Sequence, residues 1–93
     1  MDGELLTAVK RHLSITWDDA DTDAKITEAI NLAKAYLSEK AGGKLNFSKP
    51  TQSRLLLMDC VRYIYNNSME YFEKNFQNEL VYLQLQKAVG GNV

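Results

Sequence analysis

The sequence is short of several things. Cysteine, proline, histidine and tryptophan occur once each among 93 residues. A single cysteine, Cys60, cannot form an intrachain disulfide, so no internal cross-link holds the fold. One histidine and one cysteine are too few for zinc, which takes three or four protein ligands. Neither sign of charge is in excess: eleven Lys and Arg against twelve Asp and Glu leave a formal charge of −1. That balance lacks the electrostatic footprint of a protein whose main task is holding phosphate backbones. No apolar run approaches the ~20 residues of a membrane span. The start, Met1-Asp2-Gly3-Glu4, has no basic stretch leading into an apolar one, so no secretory leader is expected. Synthesis and residence in a reducing cytoplasm is the expectation, and the Asn-x-Ser triplets at Asn46 and Asn66 then go unused.

What is present is an ordinary globular balance, 45% hydrophobic and 25% charged, which argues against disorder. The length suits one domain, expected over residues 1–89 with a flexible end at 90–93. A chain of this size buries somewhat over ~60% of its unfolded surface. It can fold alone with a thin margin, and association with partners would add stability.

Apolar periodicity predicts an all-α fold of four to five helices packed around a long central apolar helix. Leu5, Leu6, Val9 and Leu13 fall at helical spacing behind Asp2, a candidate cap, and the β-branched stretch Ser14-Ile15-Thr16-Trp17 breaks the pattern. Asp18, Asp19, Asp21 and Asp23 follow. Four carboxylates this close invite a calcium reading, but no Gly sits at the turn and the twelfth position is Ala29 rather than Glu. A helix start capped by an Asp or Thr22 is the stronger reading. Ile26, Ala29, Ile30, Ala33 and Leu37 then form one stripe with Tyr36 at its edge, leaving Leu32, Ala24 and Ala35 off it. Gly42-Gly43 supplies a positive-φ stop.

Pro50 marks the next start, with Ser48, Lys49 or Thr51 as its cap. The pattern from Thr51 to about Asn75 is the longest. Asp59, Arg62, Asn66, Glu70 and Glu73 form a narrow polar strip. Leu57, Val61, Ile64, Tyr65, Ser68 and Phe72 lie opposite, and Leu56, Cys60, Tyr63 and Tyr71 widen the apolar arc past a half circle. A helix this apolar is expected to be covered on several sides. Asn66-Asn67-Ser68 can kink or end it, because these side chains compete for local backbone bonds. Asp59 and Arg62 suit either an intrahelical pair or an intersubunit one. Residues 76–89 read two ways. As a helix they carry two apolar faces, Phe76-Leu80-Leu83 and Val81-Leu85-Ala88; as a strand, Val81, Leu83 and Leu85 alternate with Tyr82, Gln84 and Gln86. Gln, Leu and Lys favour the helix. Either way one apolar face is left over for a protein partner.

Catalytic signals are absent. His12 stands among Lys10 and Arg11 with no visible partner, Cys60 sits in an apolar run as a small buried hydrophobe, and Glu70 and Glu73 fall on the solvated strip. Gly42-Gly43-Lys44 lacks the remainder of a phosphate-binding loop. No enzyme, cofactor or metal is expected. A helical DNA-binding regulator is the alternative; it needs a tight helix-turn-helix with a basic recognition helix, whereas the connection here is long and the next helix apolar.

The order of elements resembles the small phage head-tail connector (adaptor) proteins. The resemblance rests on Val9-Lys10-Arg11-His12-Leu13-Ser14-Ile15, on Asp18 to Asp23, and on Ile30-Asn31-Leu32-Ala33-Lys34-Ala35-Tyr36-Leu37. The run from Leu55 to Tyr65 into Asn66-Asn67-Ser68 is similar to that family's Leu-rich helix leading into Tyr-x-Asn-Arg, with Ser68 where Arg is common. Leu83-Gln84-Leu85-Gln86 is similar to the Gln-Leu-Arg-Gly ending of a branch described as possible DNA-packaging proteins, with Gln86 in place of Arg. The resemblance implies a structural protein of the virion head-tail junction, made in the host cytoplasm. It implies a ring of twelve copies beneath the portal, joined to a stopper or tail-completion protein, with DNA passing through its channel unrecognised. The interface residues expected are Leu32, Ala35 and Arg62 between subunits, with Tyr82 and Leu85 reaching the portal or a neighbour.

Overall fold

Two kinds of helix end set the architecture: ends written by neighbouring residues, and one imposed by contacts far along the chain. The computed structural model describes residues 2–49 and 51–90. Among these are five α-helices: α1 (Asp2–His12), α2 (Ala20–Ala41), α3 (Gln52–Tyr65), α4 (Phe72–Asn75) and α5 (Gln77–Ala88). A 3-10 turn, Met69–Tyr71, leads into α4. The all-α expectation holds.

Residues in the left-handed region terminate three of these helices with the same pair of bonds. At the end of α1, Ser14 has φ of 61°; its N–H donates to the Arg11 carbonyl at 3.0 Å and the Ile15 N–H to that of Lys10 at 2.8 Å. Gly42, at φ 85°, closes α2, with its own N–H donating to the Glu39 carbonyl at 3.3 Å and that of Gly43 to the Ser38 carbonyl at 3.0 Å. Asn67, at φ 55°, closes α3, its N–H donating to the Ile64 carbonyl at 3.1 Å and that of Ser68 to the Tyr63 carbonyl at 2.8 Å. Each arrangement satisfies carbonyls that the helix end leaves orphaned.

Asp19 starts α2: its carboxylate accepts from the Thr22 N–H at 3.0 Å and from the Thr22 hydroxyl at 2.7 Å. Those bonds, the hydroxyl's first, hold its carboxyl below the usual range. Asp2 is a residue within α1 rather than its cap, and Pro50 and residues 91–93 lie outside the described residues. Thr51 is the N-cap residue of α3, although its side chain makes no capping bond.

The long helix expected from Thr51 to Asn75 divides at Asn66–Ser68. The reason is tertiary. Tyr63 and Phe72 are nine residues apart, so at ~100° per residue a continuous helix would point them in opposite directions. The break folds the chain back and brings the two rings to 5.4 Å, edge to face. Phe72 also meets Tyr36 at 5.8 Å and stacks on Phe76 at 4.7 Å. This aromatic cluster is favoured by both buried area and ring geometry. Tyr71, which a straight helix would place on the apolar arc, is exposed.

The stripe Ile26, Ala29, Ile30, Ala33 and Leu37 is buried as expected, against Leu56, Leu57, Cys60 and Val61 of α3. The long central helix is α2, at 22 residues, which touches α1, α3 and α5; the segment from Thr51 expected in that role is the shorter α3, packed chiefly on α2. Residues 77–88 are helical, with Leu80 and Leu83 buried.

Candidate association surfaces

The acidic stretch that leads into and opens α2 acts as a clamp on α1. Lys10 lies 3.0 Å from Asp18 and 2.9 Å from Asp23, and those bonds, Asp23's first, raise its pKa. With Asp19 engaged as the cap, three of the four carboxylates have structural work. Among the described residues, no group of three His, Cys, Asp or Glu is placed to hold a metal ion.

His12 is not idle: its Nε2 lies 3.1 Å from the Asp59 carboxylate, joining α1 to α3. Asp59 therefore pairs across helices rather than with Arg62. Burial pushes the Cys60 thiol up to about 12, so it is a poor nucleophile. Lys40 bonds Glu73, lies 5.5 Å over the Tyr36 ring, and offers its carbonyl to Gln84 at 2.8 Å, tying α2 to α4 and α5. A hollow of about 570 Å³ under the loop after α2 is lined by Leu5, Leu45, Phe47 and Arg54 among others. Arg54 is committed there, donating to the Ser48 carbonyl at 3.0 Å and lying 3.3 Å from Glu4.

The apolar surface left outside the core falls into separate places. One is a groove of about 630 Å³ whose lining includes Leu32, Ala35 and Tyr36 of α2, Ile64 of α3, and Met69. Leu32 is 53% exposed. The acids Glu39 and Glu70 also line it, with no cation among the lining residues. Leu32 and Ala35 were expected as surface positions because they fall off the buried stripe of α2. Met69 joins them only because the chain breaks after Tyr65.

A second surface is the outer side of α5, where Val81, Tyr82 and Leu85 are exposed, Leu85 to 60%. The two-faced reading of this helix thus matches its burial. A third includes Leu55, 58% exposed, and the exposed Arg62 on α3. Leu55 was not singled out from the sequence, although a helical plot places it within the polar strip of Asp59, Arg62 and Asn66. The five expected interface residues are all exposed, but they divide among these three surfaces. No protein-family model, curated protein or solved structure matches this chain.

Proposed function

We propose that this chain is a structural assembly protein, a head-tail connector that closes into a ring beneath a phage portal and joins it to a stopper or tail-completion protein. The observation that carries the self-associating part is the presence of separate apolar surfaces on different sides of one small helical domain. Ring closure needs heterologous contacts, in which two unlike patches of each subunit meet. The Leu32 groove and the Leu55 side of α3 supply unlike patches, leaving Tyr82 and Leu85 on α5 for the portal. Large exposed apolar side chains grouped as Val81, Tyr82 and Leu85 are on α5 are a mark of protein interfaces. A formal charge of −1 suits a channel wall, since a strongly basic one would hold a moving duplex. The portal, the stopper and the ring of twelve copies are taken from the resemblance of element order.

Mass measurement of the protein alone and mixed with a portal protein tests the reading. A closed oligomer of defined size, or a stable portal complex, is the expected result. A chain that stays monomeric in both settings would overturn it, and a salt-sensitive shift of duplex DNA would favour a regulator instead.

A further inference from the structure

Two exposed stripes on different helices share one spacing. On α2, Leu32, Ala35 and Glu39 run i, i+3, i+7 along the groove. On α3, Leu55, Met58 and Arg62 follow the same i, i+3, i+7 rule, with Leu55 and Arg62 exposed and Met58 half-buried, packed in part on the core. In an α-helix such positions share a side, and the outer two stand about 10.5 Å apart along the axis. Ile64, which lines the groove, is nine residues from Leu55 and points to the opposite side of α3 at ~100° per residue. One molecule therefore cannot bring its Leu55 side onto its own groove; a second copy can.

Resting on the self-associating reading above, we propose that α3 of one copy lies parallel on α2 of the next, with Leu55 against Leu32, Met58 against Ala35, and Arg62 against Glu39. Charge selects this occupant. The groove holds Glu39 and Glu70, neither of which makes an ion pair among the described residues, and Arg62 makes none either; Lys40, whose charge reaches Glu39 and which shares a hollow with Glu70 and Lys74, is itself bonded to Glu73. Asp59, the acid on the Leu55 side, is already engaged by His12 at 3.1 Å. Arg11, the residue before His12, is an exposed guanidinium at that end of α1, also without a carboxylate among the described residues. The outer side of α5 offers only uncharged Asn78, Val81, Tyr82 and Leu85, so it does not answer the two glutamates. Ala35, in the middle of the stripe, is small enough to let the helix axes approach and to seat the adaptable side chain of Met58. The contact is heterologous, because each copy presents a groove on one side and an α3 stripe on the other.

Charge exchange tests the register. Arg62→Glu and Glu39→Arg, each checked for unchanged helical content, are each expected to weaken self-association by roughly 100-fold, since like charges then face each other. The double variant Arg62→Glu/Glu39→Arg is expected to return to within about tenfold of the original, because the pair is rebuilt in reverse. A mixture of the two single variants should associate where neither does alone. Leu32→Cys mixed with Leu55→Cys is expected to give a disulfide-linked heterodimer under oxidation, with the buried Cys60 taking no part. Oligomers that ignore both exchanges, or fail to cross-link, would overturn this pairing while leaving self-association intact. A chain that is monomeric up to about 1 mM alone yet binds portal would likewise overturn the pairing and keep the connector reading.

Discussion

Helix α2 and the corner from Asn66 to Phe76 form opposite kinds of structure in one small domain. Helix α2 is bounded by its own sequence: Asp19 accepts from Thr22 at one end and Gly42 turns left-handed at the other. Its buried stripe is a simple helical repeat. The corner has a left-handed Asn67, a 3-10 turn and a four-residue helix, and its 3-10 turn and α4 lack side-chain caps. What holds it is the stacking of Phe72 among Tyr36, Tyr63 and Phe76, residues brought from three parts of the chain. The lesson is that a helix can rest on local chemistry, whereas a corner of this kind rests on its long-range contacts.

Removing the ring at the centre of the corner should have the largest effect. Phe72→Ala is expected to lose about 3–5 kcal/mol in urea unfolding, because Phe72 is fully buried and its loss leaves a cavity among Tyr36, Tyr63 and Phe76. It should also release the 3-10 turn before the rest of the fold, visible as early hydrogen exchange at Met69–Tyr71. If exchange there follows global unfolding unchanged, the corner is not held by the cluster.

The local stops of α2 should be worth less. Gly42→Ala is expected to lose about 1 kcal/mol, since open space surrounds the site and only the left-handed backbone opposes a side chain. A loss of 3 kcal/mol or more would show that the turn is also a packing site.

The cap should be smaller still and dependent on pH. Asp19→Ala is expected to lower the Tm by a few degrees near neutrality. Because the folded carboxyl titrates below its ordinary 3.8, its stabilisation is present above that value and is lost as pH falls through the folded pKa. The two proteins should therefore converge on acidification; a Tm gap that persists at low pH would assign the loss to something other than the charged cap.

The smallest expected change is at Leu85→Asp. On the exposed side of α5 it should alter stability by no more than about 0.5 kcal/mol, while abolishing portal binding if the connector reading is right. A large loss of stability would place Leu85 in the core instead.

By itself the sequence determined that the fold is helical, that α2 starts in the acidic stretch and stops at Gly42-Gly43, that the stripe from Ile26 to Leu37 is buried, and that residues 76–89 have a side to spare. These are matters of period and of short-range bonds: a stripe at 3.6-residue spacing, a carboxylate three residues before the N–H it accepts from, a glycine free to adopt positive φ. The same logic made Leu32, Ala35, Tyr82 and Leu85 legible as surface. Only the tertiary structure decided that α3 stops at Tyr65, that His12 rather than Arg62 takes Asp59, and that Met69 and Ile64 complete the groove beside Leu32. The Asn66-Asn67-Ser68 stretch permitted a break without requiring one. The requirement came from Phe72, whose ring can join Tyr63 and Tyr36 only if the helix ends, and a contact between distant residues has no period by which it could be read in advance.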